Sequence, residues 1–355
     1  MIDFFIKVKQ QEAQHLPFVI FKKPNKKKLV GFFQKNDHLY FAENFKEKGF
    51  VFAPFEGSQM ILIPKEHSVK WEARMPLNEA VLNSGIDKVQ EEDPSEKAHF
   101  EVLVQKGIDA IQQGILNKVV LSREEMVAVP NFDLIKVFKK LIENYPAAFC
   151  YCWFHPKIGL WMGATPERLL KANKERFYTM ALAGTTTGDD AENVVWNQKE
   201  MEEQQIVTDF ILENLKNITS EIAISSPYTL KAGNLLHIIT DIEGVINQQS
   251  NLSQVVAVLH PTPAVCGLPK KAAKDFILTH EGYDRSYYTG FLGELNIKEF
   301  DKHRTKSDLY VNLRCMQVKD KQAHLYIGCG ITKDSNPEKE WKESVNKAQT
   351  MKKVL

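Results

Sequence analysis

The chain has 355 residues, 43% hydrophobic and 26% charged, which are proportions typical of an ordinary globular protein. The 46 Lys and Arg residues balance 45 Asp and Glu residues, and this net charge of +1 argues against a nucleic-acid binder, which usually carries a basic excess. No segment approaches ~18 uninterrupted apolar residues, so we predict no membrane span.

The N-terminal sequence and the cysteines predict a cytoplasmic location. The start, M-I-D-F-F-I-K-V-K-Q, lacks the long apolar core and the small-residue cleavage site of a secretory signal. The five cysteines are odd in number and match no zinc spacing, so we expect them to be reduced and buried. We also expect a monomer.

The first third of the chain predicts short strands followed by a helix. Residues 1–90 contain apolar runs separated by turns, at 18–21, 29–33, 38–42 and 60–64. The charged, Pro-containing run at 91–97 precedes a predicted helix at about 96–116 and a strand at 118–123. We therefore distinguish an N-terminal β-rich part, 1–95, from a core at 96–355, and expect both to form one integrated structural domain.

The rest of the chain alternates blocks of strands with single helices. Residues 149–184 predict antiparallel strands, a helix follows at about 197–217, and L-Y-V-N-L-R-C-M-Q-V with A-H-L-Y-I-G-C-G predicts a hairpin. Strict alternation of strand and helix is absent. The pattern predicts an α+β fold with large antiparallel sheets.

Two carboxylates lie on the apolar side of the helix predicted at 197–217. At 100° per residue, Glu203 falls within the stripe formed by Ile206, Val207, Phe210 and Ile211, and Glu200 falls at its edge. A buried carboxylate is costly unless it is neutralised, paired or bound to metal. This pair is therefore a candidate metal site.

A second Glu-x-x-Glu lies in the C-terminal helix, which Asn336 caps and Pro337 opens. Its apolar stripe consists of Trp341, Val345, Ala348 and Met351, and Glu340, Glu343 and Lys347 lie outside that stripe. Four converging carboxylates would suit Mg²⁺. The alternative is a surface ion pair between Glu343 and Lys347.

Two further titratable residues flank apolar strands. Lys118 opens K-V-V-L-S-R, and a Lys desolvated in a cleft can act as a base, although a strand-end Lys that reaches solvent is the commoner case. Glu167 in G-A-T-P-E-R-L-L could be a general acid, or it could pair with Arg168 in a turn.

Polar and small residues also interrupt the C-terminal hairpin. Arg314 lies in the apolar run V-N-L-R-C-M, where a guanidinium favours a carboxylate or phosphate partner. Gly328 and Gly330 on the facing strand allow close approach of an anion to the backbone. His237 and His260 are isolated histidines for which a structural role is the commoner explanation.

Taken together, the motifs resemble the chorismate-utilising enzymes, and among them most closely the isochorismate synthases. The similarity extends from about residue 96 to residue 355 and is poor before residue 96. The motifs that carry it occur in the family's order: K-V-V-L-S-R, G-A-T-P-E-R-L, A-L-A-G-T, K-E-M-E-E-Q, L-H-P-T-P-A-V-C-G, Y-D-R-S-Y-Y-T-G-F-L-G, L-Y-V-N-L-R and G-C-G-I-T-K-D-S-N-P-E-K-E-W-K-E-S.

The resemblance implies a two-lobed core of antiparallel sheets surrounded by helices, and a Mg²⁺-dependent conversion of chorismate to isochorismate. It implies Lys118 as the base that activates water and Glu167 as the acid that protonates the leaving hydroxyl. Glu203 and Glu343 would bind the metal directly, and Glu200 and Glu340 through water. Arg314 would bind the enolpyruvyl carboxylate. The other implied substrate contacts are Gly184, Thr185, His237, Ala264, Gly328 and Lys347.

One departure and three alternatives remain open. Many relatives have His after the second Glu of the first acidic helix, where this chain has Gln204, which cannot titrate. A salicylate synthase, which goes on to eliminate pyruvate, would also keep Lys118. An anthranilate-type enzyme usually lacks it, and a non-catalytic Mg²⁺- or anion-binding module would need neither Lys118 nor Glu167. Menaquinone synthesis is our preferred pathway, ahead of siderophore or salicylate synthesis.

Overall fold

The computed structural model describes residues 2–75, 93–188, 193–232, 235–298 and 305–355. Within these residues the chain forms seven helices and 19 strands. The helices are α1 Ile2–Ala13, α2 Pro94–Gln112, α3 Leu134–Asn144, α4 Gln198–Leu215, α5 Leu252–Leu259, α6 Lys270–His280 and α7 Pro337–Lys352. None of the described helices is long and apolar enough to cross a membrane.

The strands form two antiparallel sheets. In chain order they are β1 Phe18–Lys22, β2 Lys28–Gln34, β3 Tyr40–Ala42, β4 Gly49–Ala53, β5 Met60–Pro64, β6 Ser68–Arg74, β7 Lys118–Ala128, β8 Phe149–His155, β9 Gly159–Thr165, β10 Arg168–Asn173, β11 Arg176–Thr187, β12 Thr219–Ile224, β13 Tyr228–Ala232, β14 Leu235–Ile246, β15 Gly267–Leu268, β16 Phe291–Lys298, β17 Thr305–Val311, β18 Cys315–Lys319 and β19 Gln322–Ile331. This architecture confirms the predicted α+β class.

The first sheet has the order β15-β7-β19-β18-β9-β8-β1-β2-β6. The second has the order β12-β14-β11-β10-β17-β16-β4-β5-β3, and β13 also pairs with β14. Strands from the N-terminal part belong to both sheets, since β1 pairs with β8 and β4 pairs with β16. Asp93 caps α2 inside the run at 91–97, whose first two residues lie outside the described part. The proposed division near residue 95 stays a prediction.

An aromatic layer packs the two sheets against each other. The rings of Phe149 on β8 and Tyr310 on β17 stack with centroids 4.2 Å apart, and Phe52 on β4 lies 4.6 Å from Trp153 on β8. Because side chains alternate along a strand, β1 directs Val19 and Phe21 into this layer and Phe18 and Ile20 toward α1 and α3. The apolar runs therefore lack alternation because both faces of these strands are buried.

Two elements differ from the sequence prediction. Helix α1 is not predicted, and it forms because Phe4, Phe5 and Val8 share one buried side that packs on the first sheet. The predicted hairpin forms between β18 and β19, but its first strand does not run through Arg314, because the chain leaves the second sheet after Val311 and enters the first at Cys315. Arg314 lies in this crossover with a positive φ of 47°. The five cysteines are free and buried, as expected.

Candidate active site

A single cavity is bordered by twelve of the thirteen site residues that the family resemblance implies. It is lined by Lys118, Glu167, Gly184, Glu200, Glu203, His237, Ala264, Arg314, Gly328, Glu340, Glu343 and Lys347, together with other residues of both sheets. Thr185 is the exception, because its side chain lies outside the described part of the chain. Residues separated by more than 200 positions in sequence thus surround the same space.

Lys118 is buried in the wall of this cavity, with 3% of its surface exposed. It is the first residue of β7, where the strand pairs with β15. Its Nζ lies 3.8 Å from Oε2 of Glu203 on α4. A Cβ at position 330 would lie 3.3 Å from Lys118 Cε, so Gly330 leaves room for the lysine side chain. The alternative of a lysine reaching solvent is therefore wrong.

Glu167 lies in the turn between β9 and β10 and is 5% exposed. It does not pair with Arg168, whose Nε donates to Asp308 at 2.9 Å and whose Nη2 donates to the Tyr310 hydroxyl at 2.8 Å. Burial raises the pKa of Glu167 to about 7, although the nearby charge of Lys118 acts in the opposite direction. A carboxyl group with this pKa carries its proton in a large fraction of molecules at neutral pH.

Helix α4 brings Glu200 and Glu203 to the cavity. Further along the same side of the helix, Val207, Ile211 and Leu215 pack in the core. Oε2 of Glu200 is buried and has no hydrogen-bond donor in the described part of the chain. Gly184 on β11, with φ of +72°, allows this close approach, because a Cβ there would lie 3.0 Å from the backbone oxygen of Glu200.

Helix α7 brings Glu340, Glu343 and Lys347 to the same cavity. Trp341, Ala348 and Met351 are buried as the predicted stripe requires, but Glu340 is also buried, at 5% exposure. Glu343 and Lys347 do form an ion pair, yet Lys347 Nζ also donates to Gly328 O at 3.0 Å. Burial acts to lower the pKa of Lys347, but the charge and hydrogen bond of Glu343, together with the neighbouring Cys329, raise it above its ordinary value. The ion pair belongs to the cavity wall rather than to an isolated surface.

Cationic and neutral groups border the cavity beside these acids. Arg314 has no carboxylate within ion-pair distance among the described residues, and burial lowers its pKa even though Tyr288 and Glu343 act in the opposite direction. Burial, with the charges of Arg314 and Lys347, lowers the pKa of His237 to about 4. His237 is therefore neutral at pH 7. Arg314 offers a guanidinium to an anionic ligand.

The acids fit a hard divalent cation. Oxygens of Glu340 and Glu343 and the Cys329 sulfur lie within 4.8 Å of one another. Burial raises the pKa of Cys329 far above its usual value, and its Sγ donates to Glu340 O at 3.4 Å, so this sulfur is a thiol and not a thiolate ligand. The remaining donors are carboxylate oxygens, including Glu200 Oε2, which accepts no hydrogen bond from the described residues. Such a set of oxygen ligands suits Mg²⁺.

The structure adds Tyr288 and Thr289 to the cavity wall, two residues to which the sequence analysis assigned no role. Tyr288 is 2% exposed, and a Cβ at position 328 would lie 2.6 Å from its hydroxyl oxygen. Gly328 is thus needed for this tyrosine to fit. In the sequence both residues belong to the motif Y-D-R-S-Y-Y-T-G, which indicates the family but assigns no separate role to either residue.

Comparison with known proteins identifies the family. The family model described as "Chorismate binding enzyme" matches residues 63–355. The chain belongs to the chorismate-binding enzymes. The match begins inside the N-terminal β-rich part, 30 or more residues before the similarity that the motifs suggested, and includes every residue of the candidate site.

Curated relatives of this chorismate-binding enzyme include two isochorismate synthases of Escherichia coli K12. EntC is 29% identical over 286 residues, which cover 77% of this chain and 71% of EntC. MenF is 28% identical over 274 residues, which cover 73% of this chain and 61% of MenF.

Solved structures show the same fold. The structure of Escherichia coli MenF matches with a TM-score of 0.79 and 21% identity, over 96% of this chain and 88% of that one. Anthranilate synthase component I of Streptococcus pneumoniae matches with a TM-score of 0.67 and 17% identity, over 94% of this chain and 89% of that one. At these identities the matches establish the fold alone.

Proposed function

We propose that this chorismate-binding enzyme is an isochorismate synthase, in which water attacks C2 of chorismate while the C4 hydroxyl leaves. The observation that carries the proposal is the presence of buried Lys118 and buried Glu167 in one cavity, where burial raises the pKa of Glu167 to about 7. The 26–29% identical relatives named as isochorismate synthases support the same activity.

Glu167 is the proposed general acid. Hydroxide is a poor leaving group, so the C4 oxygen must receive a proton as its bond to carbon breaks. A carboxyl group with a pKa of about 7 is protonated often enough to supply that proton at neutral pH and acidic enough to release it. An ordinary surface glutamate would already be ionised.

Lys118 is the proposed general base. In its neutral form the amine accepts a proton from water as the water oxygen bonds to C2, and the ring double bonds shift as the C4–oxygen bond breaks. One proton is gained by Lys118 and one is lost by Glu167, so the substrate is isomerised without net change in composition. Exchange with solvent then restores both groups.

The remaining residues would bind the two carboxylates of chorismate. Arg314 would hold the enolpyruvyl carboxylate through its planar fork of donors. Glu203 and Glu343 would bind Mg²⁺ directly, and Glu200 and Glu340 through water. When bound, Mg²⁺ would neutralise the ring carboxylate. Gly184, Thr185, His237, Ala264, Gly328 and Lys347 are the other proposed contacts.

The presence of Gln204 rather than His is compatible with this assignment. The buried Gln204 amide donates to Thr208 at 2.9 Å and to Thr240 on β14 at 2.6 Å, so it fastens α4 to the second sheet. It has no role in proton transfer here. A monomeric state, a cytoplasmic location and a place in menaquinone synthesis stay predictions from the sequence.

The deciding experiment incubates the purified protein with chorismate, with and without Mg²⁺, and separates the products by chromatography. Isochorismate formed only with Mg²⁺ is the expected result. Salicylate with pyruvate would instead make the protein a salicylate synthase with the same residues in the site. Absence of turnover under both conditions would contradict an enzymatic role for Lys118 and Glu167.

A further inference from the structure

Arg123 contacts two residues of α7, and each of them directly follows one of the acids that α7 presents to the cavity. Arg123 is on β7, the strand that begins with Lys118, and is 8% exposed. Its guanidinium lies over the Trp341 ring, 4.5 Å from the centroid, and its Nε donates to the Ser344 hydroxyl at 2.9 Å. Trp341 follows Glu340 and Ser344 follows Glu343. Arg123 itself does not border the cavity.

These contacts determine how α7 is rotated about its axis. Neighbouring helix residues differ by about 100° in direction, so holding Trp341 and Ser344 on one side also orients Glu340 and Glu343. The Ser344 hydroxyl donates to Trp341 O at 2.7 Å, which fixes its lone pairs toward Arg123. A rotation that broke the Arg123 contacts would turn both acids away from the cavity.

Arg123 is held by other charged groups in turn. Its Nη2 donates to Glu125 at 2.8 Å, and Glu125 also pairs with Lys352 in the last turn of α7. Glu96 on α2 lies 3.7 Å from Nη1. The strand that carries the proposed base is thereby connected to both ends of the helix that carries two proposed metal-binding acids.

We propose that Arg123 is a positioning residue that orients Glu340 and Glu343 toward the divalent cation. This inference rests on the proposed function, because it assumes that the α7 acids bind that cation. Lysine cannot replace arginine here, since it has neither the planar surface that stacks on an indole nor the fixed fork of donors. Arg123→Lys therefore keeps the positive charge but loses the contacts with Trp341 and Ser344 that orient α7.

The test measures metal binding directly. Mn²⁺ is titrated into the wild-type protein and Arg123→Lys, with and without saturating chorismate, and free Mn²⁺ is followed by its EPR signal. We expect the dissociation constant to increase about tenfold, the range seen when partners of metal ligands are altered. The Mg²⁺ concentration for half-maximal rate should increase equally, with kcat at saturating Mg²⁺ within about twofold of wild type. The control is Arg176→Lys, an exposed arginine, which should change nothing.

Unchanged Mn²⁺ affinity in a folded Arg123→Lys protein would overturn the inference, as would wild-type protein that binds no Mn²⁺ in either condition. If Arg123→Lys does not fold, Ser344→Ala, which removes one of the two contacts, should still weaken Mn²⁺ binding. Wild-type protein that binds Mn²⁺ but produces no isochorismate would contradict the proposed function, while a weaker affinity in Arg123→Lys would still support the positioning role.

Discussion

Helices α4 and α7 carry the same Glu-x-x-Glu pattern but are held in place differently. Both begin with an asparagine cap, Asn197 and Asn336, and both direct two acids into the cavity. The anchors of α4 are apolar side chains and the neutral amide of Gln204, which bonds to the second sheet. Helix α7 also buries an apolar stripe of Trp341, Ala348 and Met351, but in addition it has charged partners on the first sheet, Arg123 and Glu125.

The proposed metal site would therefore connect the two sheets. One acid pair is fastened to each sheet, so a cation bound by both pairs would depend on how the sheets are placed relative to each other. A neutral anchor resists changes in pH, whereas a charged anchor depends on its ionised partners. The comparison predicts that activity requires the acids of both helices equally. It also predicts that metal affinity depends more on the anchors of one helix than on those of the other.

The largest expected effect is loss of a directly binding acid. Glu203→Gln and Glu343→Gln should each reduce kcat/KM by at least about 10³-fold, because a metal contributes several kcal/mol of charge stabilisation. Steady-state kinetics and Mn²⁺ binding measure this. Matched controls are Glu202→Gln on α4 and Glu338→Gln on α7, both exposed. Loss confined to one helix would show that the other does not bind the ion.

Removal of the proposed acid should separate proton transfer from metal binding. Glu167→Gln keeps the size and hydrogen-bonding capacity of the side chain but has no proton to give, so kcat should fall about 10²–10⁴-fold. Mn²⁺ affinity should stay within about twofold of wild type, since both helices are untouched. Full turnover of chorismate by this variant would rule out the assigned role.

The pH profile should show the same group. Because burial raises the pKa of Glu167 to about 7, the fraction that carries the required proton decreases as pH rises above 7. We expect kcat/KM of the wild type to fall on this alkaline side, and the residual rate of Glu167→Gln to lack that fall. An identical alkaline profile in both proteins would assign the titration to another group.

The smallest expected effect concerns the neutral anchor of α4. Gln204→Leu leaves the buried hydroxyls of Thr208 and Thr240 without their amide donor, which should lower the free energy of unfolding by about 1–3 kcal/mol. Mn²⁺ affinity should change less than in Arg123→Lys, because apolar contacts still hold α4. Denaturant unfolding provides the measurement. Gln205→Leu, on the exposed side, is the control.

Residue patterns predict much of the candidate site, because many of its residues belong to short local motifs. Lys118 and Glu167 flank apolar strands, and Glu203 falls on an apolar helix stripe, so the pattern around each indicates an unusual environment. The sequence predicts Arg314 as a ligand-binding candidate but within a strand, because the crossover between sheets at residues 312–314 has no local signature. The alternative pairing of Glu167 with Arg168 is wrong, because Arg168 instead binds Asp308. That partner lies 140 positions from Arg168 in the sequence, so no local pattern indicates it.

The sequence by itself determined the α+β class, the two acidic helices and the residues that could act as general acid, as general base or as a carboxylate-binding group. These depend on periodicity, capping and motif spacing, which act over a few residues. Only the tertiary structure decided that α1 forms, that Glu340 is buried, and that Arg123 holds the residues beside two cavity acids. Those outcomes depend on which distant surfaces pack together, and burial also determines whether a carboxyl group such as Glu167 keeps its proton near neutral pH.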